Sequence, residues 1–170
     1  MGKLTFDSND FEAKYNKYSK LIFQTAYQYI LNFDAAEDVV QDVFVKLFTK
    51  KKVFNSDEHE KAWLLRVTIN RCKNHLTSAS SKVLELSDEN VSDGIFLEEK
   101  SEKRIDIERE LNKLTGQQRI CIYLYYFEDY KIKEISDMLN IKENTVKSIL
   151  KRARQTLKNN LNEEDDYELQ

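Results

Sequence analysis

The chain has 170 residues, with no proline and only three glycines. Proteins built from many short strands use both residues at their turns, so this scarcity argues against a sheet fold. Cysteine is scarce too. Cys72 and Cys121 lie far apart, with no CxxC pair and no histidine cluster. That excludes a disulfide scaffold or zinc ribbon and suits a reducing cytosol. No apolar run approaches the ~18 residues of a membrane span. The first residues, Met1 to Asp7, are too polar for a signal-peptide core, and Phe6 stands where an N-myristoylation pattern needs Ser or Thr. The chain is therefore expected to be cytoplasmic, without direct membrane insertion.

Charged residues make up 34% and hydrophobic ones 41%, which fits a globular chain rather than a disordered or fibrous one. The net charge is only −3, but its distribution is uneven. Residues 1–76 hold 12 basic and 10 acidic side chains, residues 77–107 hold 4 and 8, residues 108–161 hold 11 and 7, and residues 162–170 hold 0 and 5. Two basic blocks flank an acidic stretch, which suggests two modules and a linker. Thr77-Ser78-Ala79-Ser80-Ser81 and Ser87-Asp88-Glu89-Asn90 lack helical periodicity and support that linker. The predicted class is all-α: two small helical domains joined by a flexible acidic linker. The boundaries are 1–78 for the first domain, 79–104 for the linker and 105–161 for the second domain, followed by a solvated acidic tail at 162–170.

In the first block, apolar residues three or four apart predict a helix over 11–31, with Phe11, Tyr15, Tyr18, Ile22 and Tyr29 on its face. Asp34, with Glu37 three positions on, has the spacing of a capping box for a second helix over 35–50. Ala36, Val39, Val40, Val43 and Leu47 form its inner stripe, and Asp38, Gln41, Asp42 and Val45 a second, mostly polar one. Residues 50–61 read as a polar connection. A third helix over 62–76 places Trp63, Val67, Cys72 and Leu76 among its apolar positions.

The second block reads as a helix over 105–114, a break at Thr115-Gly116, and a strongly apolar run from Gln117 to Phe127. Ile and Tyr favour strands, but no partner strand is visible, so this run is also read as helix. Ile132 to Leu150 fits a helix-turn-helix. Ile132, Ile135 and Leu139 face the core, Ile141 turns inward, and Val146, Ile149 or Leu150, and Ala153 follow. Small Ser136 sits where two helices cross steeply. Thr145, Ser148 and Arg152 are spaced i, i+3, i+7, and Lys147 and Lys151 i, i+4, with Lys142 at the helix start. One flank is thus both hydrogen-bonding and cationic. Such a flank lets Arg reach base edges and Lys neutralise phosphates.

Taken in order, these segments resemble bacterial extracytoplasmic-function (ECF) sigma factors. Asp34 through Phe48 resembles their conserved region 2, and Trp63-Leu64-Leu65-Arg66-Val67-Thr68-Ile69-Asn70 its following helix. Leu114 through Arg119, Phe127-Glu128, Lys133-Glu134-Ile135, Asn144 through Ser148, and Lys151-Arg152-Ala153-Arg154 resemble region 4. The resemblance implies that the first domain is sigma region 2 and the second sigma region 4. It implies that Asp38, Gln41, Asp42 and Val45 dock the clamp helices of the polymerase largest subunit. It further implies that Arg66, Asn70, Arg71, Lys73 and Asn74, with the connection before Trp63, serve the −10 promoter element. The −35 contacts fall on Ser148, Lys151 and Arg152, with Thr145, Lys147 and Lys142 beside them. Core RNA polymerase (clamp helices and flap), promoter DNA and an anti-sigma factor are the implied partners. No catalytic residue, cofactor or metal is expected.

Five positions depart from the family's pattern. Thr115 replaces a usual proline, Asn140 and Asn144 usual glycines, Lys142 a usual Ser cap, and Ile149 a frequent Arg.

Two other classes compete with this reading. A self-sufficient helix-turn-helix regulator would use its N-terminal half to dimerise, but the Asp38/Gln41/Asp42 face lacks the apolar centre of a dimer interface. An enzyme would need more than Glu37, Asp38 and Asp42 at helical spacing. Neither His59 nor His75 stands in metal-ligand spacing, and no nucleophile triad or phosphate loop is present.

Overall fold

A computed structural model describes residues 7–80 and 102–168, with side chains over 7–78 and 106–161. Most of the expected linker 79–104 and the side chains of the acidic tail lie outside the described residues. Among the described residues there is no strand. The chain divides into two compact units, one holding helices α1–α3 and the other α4–α7.

In unit 1, α1 (Ser8–Ile30) begins where the Asp7 side chain accepts from the Asn9 N–H at 3.0 Å. It ends at Leu31, which takes the left-handed conformation at φ 54° with its N–H on the Tyr27 carbonyl at 2.7 Å. α2 (Phe33–Lys50) starts at once. Its cap is Asn32, whose side chain accepts from the Ala35 N–H at 2.8 Å, and not Asp34, which lies in the first turn. Asn and Asp cap about equally well, and the turn at Leu31 leaves Asn32 extended where the helix enters. The inner stripe Ala36, Val39, Val40, Val43 and Leu47 is buried, joined by Ala35 and Phe44.

α3 (Asp57–Ser80) starts five residues before the expected Ala62. The Ser56 hydroxyl accepts from the His59 N–H at 3.1 Å, and Asp57, Glu58 and Glu60 bring negative charge to the positive helix end. The helix also runs through Thr77 to Ser80, into the stretch expected as linker, because neither Gly nor Pro stops it. The unit's core is Ile22, Ala26, Val43, Leu64, Leu65, Ile69 and Cys72, all fully buried.

In unit 2, α4 (Glu102–Asn112) precedes α5 (Gly116–Ile122). Thr115 explains its place in a proline position. Its hydroxyl accepts from the Gln118 N–H at 3.3 Å and its N–H donates to the Gln118 side chain at 3.1 Å, a reciprocal cap. The apolar run is helical as expected, but its second half, Tyr123–Phe127, is a π-helical turn. This wider turn keeps Tyr123 and Leu124 buried while leaving Tyr126 and Phe127 about half exposed.

α6 (Ile132–Leu139) and α7 (Glu143–Glu168) form the helix-turn-helix. Asn140 takes the left-handed conformation at φ 54°, whereas Asn144 lies inside α7 and needs no such freedom. Ser136 does more than fill a tight crossing. Its hydroxyl donates to the Ile141 carbonyl at 2.6 Å, and its carbonyl accepts from the Ile141 N–H at 3.1 Å, which fixes the turn. Ile135, Leu139, Val146 and Ala153 are buried as expected, together with both Ile149 and Leu150 and with Met138. α7 runs on to Glu168, through most of the acidic tail.

Candidate nucleic-acid and polymerase interfaces

The helix-turn-helix presents its predicted residues together. Lys142, Thr145, Lys147, Ser148, Lys151 and Arg152 are all exposed, and five of them sit on α7. Burial of Val146, Ile149, Leu150 and Ala153 turns the opposite flank outward, as 3.6-residue periodicity requires. Ile149, where an Arg is frequent, is only 3% exposed and belongs to the core. With Lys142 in place of a Ser cap, the first turn is held by the Val146 N–H on the Lys142 carbonyl at 3.1 Å and by acidic Glu143 at the positive helix end.

Bonds along α7 order this face without occupying it. The Ser148 hydroxyl donates to the Asn144 carbonyl at 2.9 Å, and Arg152 Nε donates to the Ser148 carbonyl at 3.3 Å. The remaining guanidinium donors of Arg152 point to no acid among the described residues. Arg154, on the neighbouring flank, donates to the Tyr126 hydroxyl at 3.0 Å.

In unit 1 the stripe Asp38, Gln41, Asp42 and Val45 is exposed along one flank of α2, with Val45 62% exposed. A groove of about 310 Å³ between α1 and α2 opens beside Gln41, with Tyr15, Phe23 and Val40 in its lining. The α3 residues expected at the −10 element are less uniform. Arg66, Asn70 and Asn74 are exposed, while Arg71 and Lys73 are half-buried. Arg71 reaches Asp42 at 4.0 Å, so a residue of the α3 set is paired with one of the α2 stripe. Burial lowers the Lys73 ammonium from its ordinary value.

The connection before α3 is built on aromatic rings. The Phe54 ring lies 5.5 Å from both His59 and Trp63, and Lys52 sits over the Trp63 ring at 5.3 Å. Sequence reasoning read residues 50–61 only as polar. It missed Phe54 as an anchor and Glu60 as a buried acid, although Ser56 followed by Asp57 and Glu58 is a readable helix start. The two cysteines carry no accessible chemistry. Burial pushes both the Cys72 and the Cys121 thiol up to about 12, so they stay protonated and unreactive at neutral pH.

Two family models match the chain: sigma-70 region 2 over residues 15–82 and sigma-70 region 4 over residues 104–157. Among similar proteins is the RNA polymerase sigma factor SigV of Bacillus subtilis, 28% identical over 146 residues, covering 84% of this chain and 86% of that one. The ECF RNA polymerase sigma factor SigW of the same organism is 27% identical over 169 residues, covering 91% and 90%. The solved structure of the sigma factor RpoE from Bartonella quintana, in complex with the anti-sigma factor NepR, matches with a TM-score of 0.69 at 25% identity, over 90% of this chain and 97% of that one. CnrH, solved with the cytosolic domain of CnrY, shares the fold with a TM-score of 0.61 at 20% identity, over 94% and 92%. Among the described residues no helix is long and apolar enough to cross a membrane. With both sigma regions matched in order over most of the chain, and relatives aligned along nearly their whole length, this chain belongs to the sigma-70 family, among its ECF sigma factors.

Proposed function

We propose that unit 1 binds core RNA polymerase through Asp38, Gln41, Asp42 and Val45 while unit 2 reads promoter DNA through α7, so that the pair directs selective initiation. One observation carries this reading. An acidic face on α2 and an unpaired cationic face on α7 stand exposed on the two units that match regions 2 and 4. Arg152 and Ser148 are suited to base edges, and Lys142, Lys147, Lys151 and Thr145 to phosphates. On α3, Asn70 and Asn74 carry the donors and acceptors that an unstacked base needs, and Arg66, Arg71 and Lys73 suit the backbone. Residues 1–78 then form the polymerase and −10 domain, 79–104 the linker, 105–161 the −35 domain that also meets the flap, and 162–170 an acidic tail.

Held on one enzyme, two weak DNA contacts reinforce each other through local concentration, so neither unit needs high affinity alone. Sigma factors are initiation factors rather than enzymes, and this chain catalyses nothing itself. It works in the cytoplasm and is held in reserve by an anti-sigma factor, a reading supported by the complex of the similar RpoE from Bartonella quintana with the anti-sigma factor NepR. The exposed, charged α2 stripe favours polymerase docking over the dimer interface that a free-standing regulator would need.

Run-off transcription from a genomic promoter library, with core polymerase alone and with this protein added, tests the reading. Selective transcripts appear only with the protein. Reversing charge with Asp38→Lys and Asp42→Lys leaves the helical spectrum unchanged and weakens core binding about 10- to 100-fold. Absence of selective initiation overturns the function, and unchanged core affinity of the double variant overturns the assigned face.

A further inference from the structure

The −10 face of α3 begins at a loop that is fastened from behind by a buried acid. Glu60, in the first turn of α3, is 6% exposed. The Tyr18 hydroxyl of α1 donates to its Oε2 at 3.0 Å, and the Lys14 ammonium of α1 donates to its Oε1. Burial, with the Glu60 charge beside it, raises the Tyr18 phenol, so it stays protonated and remains a donor. A carboxylate held by an ammonium and a phenol in a buried place is a firm joint, because charge-assisted hydrogen bonds are the strong ones and losing either partner strands a buried charge.

Lys14 has a second role. Its Nζ lies 5.9 Å from the centre of the Phe54 ring, on the loop between α2 and α3. That ring is wedged against His59 and Trp63, and the Asn55 N–H donates to His59 Nδ1 at 3.4 Å. One ammonium therefore joins the buried acid to the loop's anchor. Ahead of the anchor, Lys51 and Lys52 are exposed and Val53 is 84% exposed. Apart from Lys52 over the Trp63 ring at 5.3 Å, the contacts that hold this tip among the described residues are those of the anchor behind it. His59, Trp63, Asn70 and Asn74 are spaced i, i+4, i+11, i+15 and fall on one stripe of α3, so the loop is seated at the N-terminal end of the stripe that carries both asparagines. Glu60 points aside from that stripe, toward α1.

We propose that Glu60 is a positioning residue for −10 recognition: through Lys14 and Phe54 it fixes the 51–56 loop on Trp63, so that loop and asparagine stripe meet DNA as one preset surface. The proposal rests on the assignment of α3 to the −10 element. Without Glu60 the loop samples several positions, and ordering it on DNA opposes binding. Ordering a few side chains lowers affinity about five- to tenfold.

The test uses holoenzyme and promoter fragments selected by the run-off library, with the variants Glu60→Gln and Tyr18→Phe. Backbone amides of residues 52–59 should exchange faster than in the parent while those of α2 do not. Discrimination between intact and substituted −10 elements should fall about five- to tenfold, with core affinity unchanged. Tyr18→Phe, which removes one hydroxyl, covers the case in which Glu60→Gln unfolds. Unchanged loop exchange in the folded variants overturns the proposal, and so does a loss of core binding equal to the loss of −10 discrimination, which would make Glu60 merely structural. Asn70→Ala tells this failure from that of the underlying assignment. If Asn70→Ala lowers discrimination and the Glu60 and Tyr18 variants do not, only the Glu60 role falls. If Asn70→Ala has no effect, α3 is not the −10 face.

Discussion

On α7 Lys147, Lys151 and Arg152 face solvent and make no ion pair among the described residues, whereas on α3 Arg71 is paired to Asp42 and Lys73 is half-buried. The two units also bury a glutamate each, and they do so differently. Glu60 has Tyr18 and Lys14 from another helix, while Glu110, 1% exposed, has Lys113 from the turn just after its own helix on one oxygen. In unit 1 the buried acid ties two helices and a loop together. In unit 2 the acid is paired on one oxygen only, by Lys113 close in sequence, with Asn160 of α7 acting on it more weakly, and the helix-turn-helix is held by the Ser136–Ile141 turn instead. A −35 helix that enters a regular duplex needs only a rigid, open face. A −10 surface that must handle separated strands gains from a loop and a helix held in register, and under the assignment proposed above that register is where unit 1 places its buried polar contacts.

The largest test of this contrast is in unit 2. Lys113 and, to a lesser extent, Asn160 hold the Glu110 carboxyl below its ordinary value of 4.5 against the opposing effect of burial. A depressed carboxyl stabilises the fold above the unfolded-state value and loses that contribution as pH falls through the folded one. Unit 2 should therefore weaken as pH drops below 4.5. Lys113→Met should cost about 1–3 kcal/mol at neutral pH, reduced from the full penalty of a stranded buried charge because half of the lysine is in water. Urea unfolding measures it. Trp63, the only tryptophan, reports unit 1, and circular dichroism reports helix loss in both units. If the fluorescence transition moves and the dichroic one does not, Glu110 is not the seat of the effect.

A comparable effect on binding separates the roles along α7. Arg152→Ala should weaken promoter binding by about 1–3 kcal/mol and relax preference at one −35 position, as loss of a base-edge contact does. Lys147→Ala should weaken all sequences alike and lower the salt slope by about one. Filter binding of holoenzyme to consensus and substituted −35 fragments across a salt series distinguishes the two patterns. Exchanged patterns would reassign both residues.

Much of this was legible from the chain alone. The period-3.6 stripes of α2 and α7 name buried and exposed positions almost residue by residue, because each helix packs on one side only. Glu60 was not legible, since an acid that follows Asp57 and Glu58 and precedes Lys61 reads as solvated, and only Tyr18 and Lys14, more than 40 positions away, make its burial tolerable. The π-helical turn at Tyr123–Phe127 has no local signal either. Its residues favour helix and strand alike, and packing of Tyr123 and Leu124 into the core decides the geometry. Ile149 could be read as a lost cation or as a core residue, and its burial at 3% exposure settles it as core.

The smallest effect concerns the pair that joins the two faces of unit 1. Arg71 and Asp42 are 4.0 Å apart, at the limit of an ion pair, and their side chains are 41% and 58% exposed. In water at that distance, attraction is largely offset by the entropy of holding two side chains still. The pair should contribute no more than about 1 kcal/mol. A double-mutant cycle of Asp42→Asn and Arg71→Gln, read by Trp63 fluorescence in urea, should give a coupling of that size which shrinks as salt is added. Arg71 then remains free to leave Asp42 for a phosphate, as the role proposed for α3 requires. A coupling of several kcal/mol that ignores salt would mean that Arg71 is locked in place, and would remove it from the residues proposed to meet DNA.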